Sequence, residues 1–156
     1  MQPALKIPIL AAALAFAGTA HADQPRIGLA APLEGPTAPL GTQMRDGAAV
    51  AARQAGAELV VADDKCSAEG GETAARELVA ADVAFVVGFL CTEAIEAALP
   101  VLKEAGLAVV TPGVRANGLT DRRTRTGWPV WRLAPRADAE AQAAAEMTGR
   151  IMGIGM

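Results

Sequence analysis

This 156-residue chain has a single histidine, His21, and no tyrosine. A Ser-His-Asp triad, a Cys-His pair and a His-ligated zinc all need an imidazole, and His21 lies inside the N-terminal leader described below. Aromatic residues make up only 3% of the chain and the net charge is −3 with no basic stripe, so nucleic acid is excluded as a partner. There is no G-x-S-x-G, no P-loop and no H-E-x-x-H; Gly153-Ile154-Gly155 lacks the third glycine and following helix of a dinucleotide fingerprint. Carboxylates, lysine and serine remain, but no group that titrates near neutral pH is left to act as a base. Met147, Met152 and Met156 are too sparse for a methionine-rich metal site. Asp63 and Asp64, adjacent on a strand, point to opposite faces and read as turn formers rather than metal ligands. The expectation is a protein without catalysis, metal or cofactor.

Cysteine is nearly absent too, and here the exceptions inform. Met1–Ala22 reads as an export signal: Lys6 in a short n-region, an apolar stretch from Ile7 to Ala17, and an Ala20-His21-Ala22 cleavage triplet. The apolar run is too short to span a bilayer. Cleavage after Ala22 makes Asp23 the mature N-terminus and removes His21, and no cysteine lies near the cut to carry a lipid. The implied compartment is oxidising, most simply a bacterial periplasm. Cys66 and Cys91 each close a strand-like apolar run, Leu59–Asp64 and Val83–Leu90. Two cysteines at one edge of a sheet, in that compartment, read as a disulfide.

What is plentiful is Ala, Val, Leu and Gly, which suits helices packed closely on a sheet. After the leader there is chain enough for one domain that buries roughly two-thirds of its unfolded surface. Arg26–Ala31 reads as a first strand and Pro32–Gly41 as a loop. Met44, Ala48, Ala51, Ala52 and Ala55 mark a helix stopped by Gly56. Glu58–Asp63 is a second strand; Ala74, Leu78 and Val79 mark a second helix. Val83–Gly88 is apolar throughout, as for a strand buried on both faces. Thr92 caps a third helix with Ile95, Leu99 and Leu102, ended by Gly106. Leu107–Thr111 is a fourth strand, Pro112–Gly127 a polar loop, Val130–Leu133 another extended piece and Asp138–Met147 an Ala-rich helix. Alternation at this interval predicts βαβ units: an α/β fold with a doubly wound parallel sheet. Ligands of such sheets bind at strand C-termini, here the loops Pro32–Gly41, Asp64–Gly70, Leu90–Thr92 and Pro112–Gly118.

Taken together, Ile27–Gly41 (IGLAAPLEGPTAPLG), Asp63–Cys66 (DDKC), Val86–Thr92 (VVGFLCT) and Val110–Val114 (VTPGV) resemble the N-terminal lobe of type I periplasmic solute-binding proteins. The branched-chain amino acid binding group of ABC transporters is the nearest likeness, and Trp131-Arg132-Leu133 is similar to the segment where that family's chain leaves its first lobe. The likeness covers nearly all of Arg26–Ala145. It implies a bridged cysteine pair and an amino acid docked by its α-carboxylate and α-amino groups on Thr92, Gly113 and Arg115, with Leu40 in the pocket wall. Backbone N–H groups at the start of the third helix would face the anion, and the Gly113 carbonyl would accept from the ammonium. Arg115 stands where a small hydroxyl residue is commoner, Leu40 replaces an aromatic, and Glu93 puts a negative charge beside the expected carboxylate.

The resemblance implies 1–22 as signal, 23–133 as the N-terminal ligand-binding lobe and 134–156 as the start of a crossover to a second lobe that this chain lacks. The expected function is the periplasmic substrate-binding component of an ABC transporter, truncated, holding a small amino acid or amide-like ligand for an inner-membrane permease. A sensor reporting ligand occupancy to a membrane partner is the alternative, and a flavodoxin-like hydrolase using Thr92 or Asp63 the enzymatic rival. Plainer readings stand beside the site: Thr92 as a simple N-cap, Gly113 as a tight turn, Arg115, Arg122, Arg123 and Arg125 as solvated loop charges. The Ala-rich helix is expected to expose apolar surface and promote association.

Overall fold

A parallel five-stranded sheet in the order β2-β1-β3-β4-β5 organises the chain. The computed structural model describes residues 24–153, so the export signal read in Met1–Ala22 lies outside the described residues. The strands are β1 (Arg26–Ala31), β2 (Glu58–Asp63), β3 (Phe85–Gly88), β4 (Val109–Thr111) and β5 (Val130–Arg132). The helices are α1 (Ala38–Ala55), α2 (Ala68–Ala80), α3 (Thr92–Glu104), the short α4 (Gly118–Asp121) and α5 (Arg123–Thr126), and α6 (Ala137–Met152). Every strand pairing is parallel, with β3 between β1 and β4. Chain direction across the sheet reverses after β2. Right-handed crossovers then put α1 on one face and α2 and α3 on the other.

The two faces are not equally buried. On the α2–α3 side, Ala30, Val86, Val109 and Val130 join Leu78, Ile95, Leu99 and Leu102 in one core. Each of those large side chains contributes about 1.5–3 kcal/mol by leaving water. The close fit depends on a residue without a side chain: a Cβ on Gly71 of α2 would collide with the Ala94 backbone of α3. On the α1 side, Leu29 and Ala31 are buried. Phe85, Val87 and Val110, whose register carries on from β1, are only half-buried, and Trp131 is exposed. The expectation that Val83–Gly88 is buried on both faces therefore holds on one face. α1 packs against β1 and β2 on that side.

Other boundaries differ for local reasons. Pro32–Gly41 is not all loop, because α1 begins at Ala38 with Pro39 in its first turn. Proline is tolerated there, since the N–H it lacks has no intrahelical acceptor. Pro112–Gly127 holds the two single-turn helices α4 and α5. The last helix runs from Ala137 to Met152 with no buried residue, and Met147, Ile151 and Met152 are exposed.

Cys66 and Cys91 are joined, as expected, with Cα atoms 5.2 Å apart and a sequence separation of 25. Closing a loop of that length restricts the unfolded chain by about 3–4 kcal/mol in the chain-entropy picture. Urea denaturation with and without a reductant should show the reduced protein less stable by that order. Coincident midpoints would show that the bond contributes nothing to the fold.

Candidate functional site

The loops after β1, β2, β3 and β4 gather at one edge of the sheet, and hydrogen bonds tie each to its neighbour. Asp63 Oδ1 accepts from Leu33 N (2.9 Å), joining the β1 and β2 loops, and from Lys65 N (2.9 Å). Asp64 is fully buried and its Oδ1 accepts from Cys66 N (2.9 Å). Lys65 and Cys66 both take left-handed backbone angles, φ 50 and 51, turning the chain toward Cys91. The two aspartates thus form turns, as read from the sequence.

The β3 loop is the centre of this edge. Gly88 (φ 138) and Phe89 (φ 63) bend the chain out of the sheet, and the Phe89 side chain drops into the core with no exposure. Phe89 N donates to Ala30 O (2.8 Å) and Thr111 Oγ1 donates to Phe89 O (3.2 Å). Thr111 Oγ1 also accepts from Val114 N (3.3 Å), so one buried hydroxyl spans the β3 and β4 loops. Gly113 rests against the β3 loop: a Cβ there would stand 2.6 Å from Leu90 Cδ2 and 3.4 Å from Phe89 O.

Two residues beyond Leu90, α3 begins. Thr92 is its first helical residue and not its cap. Cys91 holds the N-cap position in extended conformation (φ −112, ψ 133) and caps with no side-chain hydrogen bond, its sulfur being committed to Cys66. The leading N–H groups of a helix have no intrahelical acceptor, and the helix dipole favours an anion beside them. Exposed Glu93 in the same turn works against an anion.

The turn after β4 carries Arg115. Its carbonyl accepts from Arg132 Nη1 (3.1 Å) and from Ala137 N (3.1 Å), so its backbone is fixed while its exposed guanidinium pairs with Glu140 of α6. Leu40, 57% exposed, lies on the first turn of α1. Arg122 and Arg123 are not merely solvated. Arg122 pairs with Glu96 (2.6 Å) and lies 5.6 Å from the Trp128 ring; Arg123 donates to the Val130 carbonyl and lies 5.2 Å from Trp131. Arg136 binds Asp121 and Asp138, and its hydrogen bond holds the Asp138 carboxyl down to about 2. Sequence reasoning passed over Glu140 and Arg132, whose partners lie far along the chain with no local motif to mark them.

Burial raises the pKa of Asp64 above its ordinary 3.8; the Cys66 N–H opposes this and Asp63 adds to it. Its Oδ2 has no hydrogen-bond partner among the described residues. A carboxyl whose pKa is higher folded than unfolded holds its proton longer in the native state, so stability falls as pH rises through the interval above 3.8. Asp64→Asn should flatten that fall. Urea denaturation of both proteins across weakly acidic to neutral pH measures it, and parallel curves would show that Asp64 does not titrate differently on folding.

The family model described as periplasmic binding protein matches residues 24–151. The Leu/Ile/Val-binding protein BraC3 of Rhizobium johnstonii is 37% identical over 146 residues, covering 88% of this chain and 39% of that protein. The leucine-, isoleucine-, valine-, threonine- and alanine-binding protein of Pseudomonas aeruginosa is 35% identical over 72% of this chain and 34% of its own length. Among solved structures, the leucine-binding protein LivK of Thermotoga maritima superposes with a TM-score of 0.69 at 22% identity, covering 83% of this chain and 38% of that one. LivJ of Streptococcus pneumoniae, in complex with isoleucine, gives 0.65 at 24% identity over 73% of this chain and 34% of its own. The chain spans between a third and two fifths of the length of these relatives. From its sheet order, its edge loops and the family match across nearly all of the described residues, the chain belongs to the periplasmic binding protein family.

Proposed function

We propose that this chain forms the amino-acid-facing lobe of a periplasmic substrate-binding protein, which hands a branched-chain or related small amino acid to an inner-membrane ABC permease. The reading rests on one observation: the Gly113 turn rests on Phe89 and Leu90, in the loop that leads into α3, whose N-cap makes no side-chain hydrogen bond, and Thr111 joins that loop to β4. An α-amino acid presents an anion and a cation one carbon apart, and this edge offers a counterpart to each. The carboxylate takes the N–H groups of the first α3 turn and the Thr92 hydroxyl. The ammonium takes the Gly113 carbonyl. Relatives named for leucine, isoleucine and valine binding support an apolar ligand side chain, and exposed Leu40 on α1 would meet it. No bond is made or broken in the ligand: specificity is contact, and transport follows from presenting the bound form to the permease. Membership of a periplasmic family supports a periplasmic location, in keeping with the leader read in Met1–Ala22.

At this edge a ligand keeps one side in water. Each charge-assisted hydrogen bond not made forgoes about 1.5–3 kcal/mol, so this chain alone should bind L-leucine more weakly than micromolar. Thr92→Pro is a clean probe. Proline fits the first helical position, and the extended Cys91 is the conformation a preceding residue adopts. The helix survives while one N–H and the hydroxyl are lost. Calorimetry should then show binding of L-leucine weakened about tenfold or more, with Arg125→Glu unchanged. Equal affinity in the Thr92 variant would move the ligand elsewhere.

A further inference from the structure

Arg115 and Glu140 form an ion pair between the turn of the site and the first turn of α6. Both side chains are half-exposed, and exposed pairs of this kind are weakly held. Glu140 has another source of stability in the α6 N-terminus, where the helix dipole favours a carboxylate. It loses little by leaving Arg115. α6 buries none of its residues, and three polar contacts tie its start to the body: Ala137 N to Arg115 O, Arg136 to Asp121, and Glu140 to Arg115. Two of those three run to Arg115, the residue that follows the Gly113 turn by two positions.

We propose that Glu140 is an internal stand-in for the ligand's carboxylate: it occupies Arg115 in the free protein, and a bound carboxylate takes its place, freeing the first turn of α6. This rests on the ligand site described above and adds a class rule and a consequence to it. An arginine presents paired donors that match the two oxygens of a carboxylate. A ligand whose carboxylate sits at the start of α3 can therefore recruit Arg115, whereas one with a neutral amide cannot. The site thus selects carboxylates over their amides, and α6 reports whether one is bound.

The test is an NMR titration of the full chain with L-leucine and with L-leucinamide, following the backbone amides of Thr92 and Gly113, the Arg115 Nε–H, and amide exchange in 137–141. L-Leucine should shift all three resonances and speed exchange at the start of α6, while L-leucinamide leaves Arg115 and α6 unmoved. Glu140→Gln removes the competitor and should tighten L-leucine by about two- to fivefold, the range expected for an exposed ion pair, without affecting L-leucinamide. If L-leucine shifts Thr92 and Gly113 but neither Arg115 nor α6 responds, the stand-in is wrong and the site stands. If neither wild type nor Glu140→Gln shows shifts at Thr92 and Gly113, the site itself is refuted and the stand-in with it.

Discussion

Phe89 carries a left-handed backbone angle and a wholly buried ring at the point where the chain leaves the central strand. A non-glycine residue takes that conformation only where its surroundings impose it. Here the ring fills the core beneath α3, its N–H reaches back to Ala30 on β1, and its carbonyl receives the Thr111 hydroxyl from β4. The loop is thereby fixed from both neighbouring strands at once. Without that anchor neither the start of α3 nor the Gly113 turn would keep its place, since Gly113 leans on Phe89 and Leu90. The disulfide holds the same loop from the β2 side. The proposed presentation of backbone groups to a small ligand depends on this rigidity, because a donor displaced by an ångström is lost to a compact charged group.

The strands and their order follow from patterns that survive folding. Apolar runs of four to six residues separated by helical spacing leave few parallel topologies, so β1 and β2 were legible to the residue. Features that arise only in three dimensions were not. Pro39 and Gly41 look like loop residues, yet the first turn of α1 accommodates both. Thr92 looks like a cap, but the disulfide fixes Cys91 extended and pushes the cap back by one position. β3 reads as buried twice over, yet its burial on each face depends on which helices lie above it. Thr92, Gly113 and Arg115, the residues proposed for the site, were picked out through motifs near the strand ends. The pairing of Arg115 with Glu140 was not, because charge pairs across loops leave no trace in local spacing.

Polar contacts in this fold divide by depth. Thr111 and Asp64 are buried, and each bonds to the backbone of a site loop, where an unmade bond is expensive. The arginine pairs Arg26–Glu58, Arg115–Glu140 and Arg136–Asp121 are exposed, where water screens them. The first group sets the shape of the edge and the second leaves it adjustable. Asp64 marks the transition between them. Its carboxyl is kept from water yet bonded through only one oxygen, so the price of its charge falls on the same turn that carries Cys66.

The two faces of the sheet extend the same division to the scale of the domain. The core under α2 and α3 is continuous, and Gly71 lets those helices close over the strands that carry the site loops. The opposite face is buried only where α1 lies, leaving Phe85, Val87, Val110 and Trp131 in a partly open row across β3, β4 and β5. Local stability follows burial, since segments with few apolar contacts open first. The α3 terminus and Gly113 turn therefore sit on the well-packed side of the balance, whereas α6, which buries none of its residues and is tied at its start by exposed charges, sits on the other. A ligand that binds the firm part through its carboxylate and exchanges a charge with the loose part acts at the boundary between them. Arg115 stands at that boundary, with its backbone fixed by Arg132 and its guanidinium free to change partners.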